Sequence, residues 1–316
     1  MLSRRDYSAT EWGKKKLVDI PECAILVNSQ GDETMIQNNA SEQLIEARHV
    51  PAAEIRLLGP LDVRIGGVSI VPSAGKPKQL LALLAQRCGR VVPVSTLMEE
   101  IWGETIPRSS TTTLQTYILQ LRKLITEALP RDCAGGAKDI LVTHFNGYQL
   151  IIDSCASDVR EFERLSVKGY LALESGDAAT ASKYLTQALE QWRGPALMDV
   201  PAGRVLHMES IGFEEGRMRA HEQRISADLS LGKHSMLVPE LRMLVAQHPM
   251  DERFCAMLMV ALHRSGAPWR ALQVFRDLRK TLSGELGVEP SRRLQELHQA
   301  VLANTPDLSL QEFGVA

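Results

Sequence analysis

Cysteine is scarce in this chain. Its five residues, Cys23, Cys88, Cys133, Cys155 and Cys255, lie far apart and form no CxxC or Cys/His metal spacing. No metal site is therefore expected, and a reduced, cytoplasmic setting fits best. Long hydrophobic runs are also missing. The longest, such as LLALLA at Leu80 to Ala85, fall far short of a membrane span. The N-terminal MLSRRDYSATEWGKKK carries cations with no apolar stretch behind them, which argues against a signal peptide. Charge of one sign is lacking too: 36 Lys and Arg face 38 Asp and Glu, for a net charge of −2, so the whole chain is no polybasic arm. None of the eight histidines sits in an HExxH, and no GxSxG is present. The GK pair in SAGKPKQ has Gly67 at the wrong offset for a phosphate-binding loop and no following Ser or Thr for magnesium. The expectation is a protein that is not an enzyme and needs no cofactor.

What is present is ordinary globular material, 44% hydrophobic and 23% charged over 316 residues, which suits two domains better than one. Residues 1–53 are polar and weakly periodic. CAILV and ASEQLIEA suggest a strand and a helix around a loop-like VNSQGDETMIQNNAS, and the segment suggests no function.

From Glu54 the texture changes. EIRLLGPLDVRIGGVSIV gives two or three short alternating runs broken by Gly-Pro and Gly-Gly, hence a small antiparallel sheet. KPKQLLALLAQRCG reads as a helix with Pro77 near its start and Gly89 past its end. VSTLMEEIWG reads as a second helix, capped at Ser95 and closed by Gly103. The third, SSTTTLQTYILQLRKLI, carries Leu114, Ile118, Leu121 and Ile125 as one apolar stripe at helical spacing. Its start is odd, because three successive threonines are stiff at χ1 and lower helix propensity. ILVTHFNGYQLII is two β-rich runs around Asn146-Gly147, a hairpin signal with its turn at those residues. A sheet, three helices and a hairpin, in that order, describe a winged helix-turn-helix of the response-regulator type over residues 54–153. The third helix would enter the major groove of DNA, and the hairpin would be the wing.

Residues 157–305 are helical throughout. Gly232 and Gly266 lie 34 residues apart, each followed by apolar residues at the offsets of a tetratricopeptide repeat: Leu237, Leu241 and Leu244, then Ala271, Phe275 and Leu278. Gly176 is followed in the same way by Ala181, Leu185 and Ala188, but at a different distance, so an insertion around WRGPALMDVPAGRVL breaks the array. Stacked helix pairs with a concave face are expected, followed by a tail over 306–316. The fold class is mainly α with a small β component.

The DNA reading accounts for the threonines. Short hydroxyls near the start of a recognition helix bond phosphates or base edges, and a Thr methyl packs on a thymine methyl. Thr112 and Thr116 lie about one turn apart, with Gln120 a further turn along, all off the apolar stripe. Gln120 has the geometry for a bidentate contact to adenine, while Tyr117, Arg122 and Lys123 suit backbone phosphates. Lys76 and Lys78, at the start of the first helix, are further phosphate candidates. Residues 54–152 hold eleven Lys and Arg against eight Asp and Glu. That modest excess points to weak binding by one protomer, rescued by a second on an adjacent site.

LLGPLDVRIGG, KPKQLLALLAQRCGRVV, LMEEIWG, TLQTYILQLRKLI, NGYQL, ALEQWRGPALMDVP and GELGVEPSRRLQELHQAVL together resemble the Streptomyces antibiotic regulatory proteins. These pair an OmpR-like winged helix with a bacterial transcriptional activation domain, and the likeness spans about residues 54–305. The chain is similar to the small members, which lack an ATPase module. The resemblance implies a cytoplasmic, nucleoid-associated activator of an antibiotic or other secondary-metabolite gene cluster. Its partners would be promoter DNA carrying direct repeats near the −35 region, RNA polymerase including its sigma factor, and a second protomer side by side on the DNA. It also implies Thr112, Thr116, Tyr117, Gln120 and Arg122 as groove-facing positions, with His144 where relatives often place a minor-groove arginine. Leu119 departs from the family, which often has a cation there. Arg108, Thr113 and Asn146 complete the candidate DNA-binding set. The competing expectation is a repeat-type adaptor or ligand-sensing regulator whose winged helix mainly mediates protein contacts.

Overall fold

The computed structural model describes residues 52–131, 135–152 and 155–305, so the strand and helix expected within residues 1–50 lie outside the described residues. The chain opens with an antiparallel meander of β1 (Ala53–Arg56), β2 (Asp62–Ile65) and β3 (Val68–Ser69). Alternation of buried and exposed residues along β1 and β2 sends Ile55, Val63 and Ile65 into the core. Three helices follow: α1 (Gly75–Gln86), α2 (Val94–Trp102) and α3 (Ser110–Ala128). The apolar stripe of α3 is buried against α1, with Leu114, Ile118, Leu121 and Ile125 all closed to water. The second helix begins two residues earlier than a cap at Ser95 implies. Pro93 occupies the N-cap position, so Ser95 lies inside the first turn and caps nothing.

A second sheet, in the order β4-β6-β5, joins β4 (Val91–Pro93), β5 (Leu141–His144) and β6 (Gly147–Leu150), after a single-turn helix α4 (Ala137–Ile140). Here the hairpin turn differs from expectation. His144 pairs with Gly147, so the two-residue loop is Phe145-Asn146 and the glycine is already in the strand. Packing explains the glycine better than turn geometry does. A Cβ at Gly147 would lie 2.5 Å from the Val92 carbonyl oxygen, a distance no side chain tolerates.

The helical half contains α5 (Asp158–Glu174), α6 (Ala178–Leu189), α7 (Arg204–Ser230), α8 (His234–Gln247), α9 (Glu252–Arg264), α10 (Pro268–Glu285) and α11 (Arg292–Leu302). The three glycines of the repeat pattern, Gly176, Gly232 and Gly266, end α5, α7 and α9 with φ of +79°, +78° and +77°. All nine apolar residues that mark the pattern are buried.

The two halves are joined by more than a linker. Strand β7 (Cys155–Ser157) pairs in parallel with β1, adding a fourth strand to the first sheet in the order β3-β2-β1-β7. Three carboxylates then bridge the halves. Asp158 accepts the Leu57 N–H on Oδ1 and the Leu58 N–H on Oδ2, each at 2.9 Å. Asp199 accepts the Leu61 N–H at 2.7 Å and pairs with Lys78 at 2.6 Å. Glu100 of α2, buried, accepts the N–H groups of Gly203, Val205 and Leu206 at 2.6, 2.9 and 3.0 Å. It thereby supplies from one half the N-terminal cap for α7 of the other.

The insertion that interrupts the repeats is the segment that docks. Leu197 and Val200 from it, with Leu206 of α7, bury their side chains in the winged-helix core, and Leu58 from the loop between β1 and β2 buries its own among Phe162, Leu165 and Leu185. Leu197 carries a left-handed φ of +53°. That conformation costs a non-glycine residue about 1–2 kcal/mol, offset here by burial and by its N–H bond to the Leu57 carbonyl at 3.0 Å.

Candidate nucleic-acid interface

Helix α3 buries one face and leaves the other open. Thr111, Thr112, Gln115, Thr116, Leu119, Gln120 and Lys123 are exposed. The helix start carries no side-chain cap on Ser109, which leaves first-turn N–H groups without a side-chain acceptor. The threonine problem resolves through local bonding. Thr113 and Thr116 donate their hydroxyls to the Ser109 and Thr112 carbonyls, at 2.9 and 3.0 Å. With its one proton so used, the Thr116 hydroxyl retains lone pairs and a methyl group. It suits a base-edge donor or a thymine methyl better than a phosphate, which could only accept. Gln120 lies one turn on, exposed and with its amide bonded to no side chain or backbone group among the described residues, and Leu119 is 63% exposed beside it.

Several candidates serve the scaffold. Arg122 was expected on a phosphate, but its Nε and Nη2 hold the Leu141 carbonyl at 3.1 and 2.7 Å, and Nη2 also reaches Thr143 Oγ1 at 2.7 Å. The guanidinium fork therefore ties the recognition helix to the first strand of the wing. Lys78 was likewise expected on a phosphate, but its ammonium is committed to Asp199 in the other half. The sequence missed both because the partners of these cations are distant in the chain. Tyr117 is half-buried and stacks on Trp102, with ring centroids 6.4 Å apart and planes 16° from parallel. Lys76 covers the same indole with Nζ 5.4 Å from the ring centre, and this keeps its charge at the exposed start of α1. Arg108 is exposed in the loop that leads into α3. Lys123 approaches Glu127 at 3.9 Å, both widely exposed.

The wing is braced from its base. His144 Nε2 lies 2.7 Å from Gln149 Oε1, while Gln149 Nε2 donates to the Gly89 carbonyl at 2.9 Å. Because the amide nitrogen is already a donor there, the Gln149 oxygen must accept, which places the imidazole proton on Nε2. Beyond this chain stand Asn146 and Phe145, both exposed at the tip. Phe145 had no place among the expected site residues, because the Asn-Gly signal drew the turn one residue too late.

Among the described residues no helix is long and apolar enough to cross a membrane, and no group of three or more His, Cys, Asp or Glu is placed to hold a metal ion. The buried thiol of Cys255 is pushed up to about 12 by burial, with Asp251 and Glu252 adding to the effect, so it stays protonated and unreactive.

Residues 71–150 match the family model described as transcriptional regulatory protein, C terminal, and residues 157–302 match the bacterial transcriptional activator domain. The chain is 50% identical over 255 residues to the regulatory protein DnrI of Streptomyces peucetius, covering 81% of this chain and 94% of that one. It is 38% identical over 257 residues to the transcriptional regulator RedD of Streptomyces coelicolor, covering 81% and 72%. Among solved structures, EmbR of Mycobacterium tuberculosis in complex with a low-affinity phosphopeptide superposes with a TM-score of 0.73 at 28% identity, over 83% of this chain and 68% of that one. A winged helix followed by an activator domain, shared in this order with such relatives, places the chain in the Streptomyces antibiotic regulatory protein family of transcriptional activators, which are not enzymes.

Proposed function

We propose that this protein is a sequence-specific activator of a secondary-metabolite gene cluster, binding direct repeats beside the promoter −35 region in the cytoplasm. The observation that carries this reading is the open face of α3. Thr112, Thr116 and Gln120 recur one turn apart on a helix whose opposite face is buried, so the polar row has no structural task inside the molecule. Gln120 and the Thr116 methyl read base edges in the major groove. Arg108, Lys76 and Lys123 line the surrounding phosphates, and His144 and Asn146 of the wing approach the adjacent minor groove. Direct repeats set successive protomers in the same orientation, so their contact is head-to-tail and stops with the last repeat. The helical half is the part turned towards RNA polymerase and its sigma factor. It holds nineteen residues of each charge over 158–305, as a specific polar interface needs and a nucleic-acid groove does not.

The test uses the full chain and promoter fragments upstream of the biosynthetic genes beside its own gene. Binding should require two repeats in the same orientation, weaken steeply with salt, and raise transcription by purified polymerase. Tight binding to an unrelated duplex with the same salt response, or no effect of inverting one repeat, overturns the reading. A shallow salt slope with retained polymerase binding would instead favour an adaptor.

A further inference from the structure

Phe145 is 109% exposed, more open than in an extended reference chain, and it occupies the outermost position of the wing. Single exposed apolar residues are common on protein surfaces and ask for no explanation by themselves. This one is unusual in how firmly its base is held. The strand before it is clamped to α3 by Arg122, the residue next to it is braced through Gln149 to Gly89, and the strand after it begins at a glycine pressed onto β4. A rigid two-residue loop thus holds an aromatic ring away from the body, on the element tied to the recognition helix. A neutral ring gains nothing from phosphates. What it fits is the apolar wall of sugars in the minor groove and the gap between two bases that unstack.

We infer that Phe145 enters the minor groove beside the bases read by α3 and wedges open one base step. The inference rests on the DNA-binding reading above and adds a sequence requirement to it. Pyrimidine–purine steps, TA and CA/TG, unstack most readily. The operator should therefore carry such a step at a fixed distance from each helix-read motif, selected by deformability and untouched by any hydrogen bond from the ring.

The full chain, F145A and F145L are each used to enrich binding sites from a random duplex library, and the winning duplex is then labelled with 2-aminopurine at the flanking step. Since Phe145 buries nothing, both variants should melt at the temperature of the parent. The parent and F145L, which keeps an apolar wedge, should enrich a common motif with TA or CA/TG at one fixed offset, and both should brighten the 2-aminopurine on binding. F145A should enrich the same motif without the flanking step, bind the parent's site about tenfold or more weakly, and leave the probe dark. If F145A enriches the same flanking step as the parent, or if the parent leaves the probe dark on a site it binds, the wedge is overturned while the DNA reading stands. Phe145 would then be a contact to protein. A parent chain that enriches no motif overturns the DNA reading itself, and the wedge with it.

Discussion

The helices of the two halves begin differently. In the helical half, α5, α6, α9 and α11 start with Ser157, Asp177, Asp251 and Ser291, each of which accepts a first-turn N–H, and α7 is capped from outside by Glu100. In the winged half, α1, α2 and α3 start after Ala74, Pro93 and Ser109 with no side-chain cap. A cap is worth about 1 kcal/mol, so leaving three helix starts without one is a cost in stability. Uncapped N–H groups of this kind are the ones that donate to phosphate oxygens at helix N-termini. The helical half closes five of its seven described helix starts with a side chain, α8 and α10 excepted after Lys233 and Ala267. The winged half leaves its three long helices without one, as a DNA-contacting surface requires.

The largest effect that would sharpen this contrast is at Glu100. Glu100→Ala strands three N–H groups at the start of α7 in a largely buried site, while the Gln79 amide keeps the Glu100 main-chain carbonyl, and should cost about 3 kcal/mol or more in chemical denaturation. Its neighbour Glu99, paired with Arg204 at the exposed rim, should cost less than about 1 kcal/mol when changed to Ala. Equal losses would mean that the buried cap does not hold the halves together.

Next in size are the two α3 side chains that looked alike as DNA contacts. Gln120→Ala should leave the melting temperature unchanged, weaken operator binding by roughly 1–3 kcal/mol, and relax preference at one position of each repeat. Arg122→Ala should lower stability by about 1–3 kcal/mol, since its fork holds a wing carbonyl and a hydroxyl, and should weaken every duplex alike. A variant that binds poorly but melts normally would return Arg122 to the phosphates.

These two residues mark how far the sequence could be read. The buried stripe of α3 and the nine repeat positions were legible because helical periodicity is local and repeats along the chain. The open row of Thr112, Thr116 and Gln120 was legible as its complement. The carboxylate bridges were not, because Glu100 meets Val205 and Asp158 meets Leu57 across about a hundred residues with no periodic sign of it. The internal partners of Lys78 and Arg122 were hidden for the same reason, both being cations on promising helices with acceptors far away in sequence. Strand β7 was missed because three residues of CAS show no alternation, and they form a strand only because β1 offers a free edge.

A third, directional prediction concerns acid. At Asp199 burial works against the charge, but the bonds from Lys78 and the Leu61 N–H outweigh it and hold the carboxyl below its ordinary value of 3.8. Its contribution is present above pH 3.8 and lost as pH falls through the lower folded value. At Asp158 burial outweighs the three N–H bonds and Arg193, and pushes the carboxyl above 3.8. Its contribution has the opposite sign, fullest below pH 3.8 and lost as pH rises through the folded value. Denaturation midpoints across pH 3–7 should therefore show a shallower acid decline in Asp199→Asn than in the parent. An unchanged decline would remove Asp199 from the bridge.

The smallest effect is expected at Lys123, whose partner Glu127 is exposed. Lys123→Ala should alter stability by less than about 0.5 kcal/mol, yet reduce the log–log salt slope of DNA binding by about 1. If stability moves and the slope does not, the residue belongs to the scaffold.

The bridging carboxylates also bear on the DNA itself. Because Glu100, Asp158 and Asp199 join the recognition helix to the repeat stack as one lever, the stack cannot swivel to compensate for a misplaced operator. Sliding the repeats by half a helical turn, about five base pairs, would carry the lever to the far side of the duplex. A full turn would bring it back. Promoter output should then rise and fall with the phase of the double helix, and loosening Glu100 should flatten that oscillation before it abolishes binding.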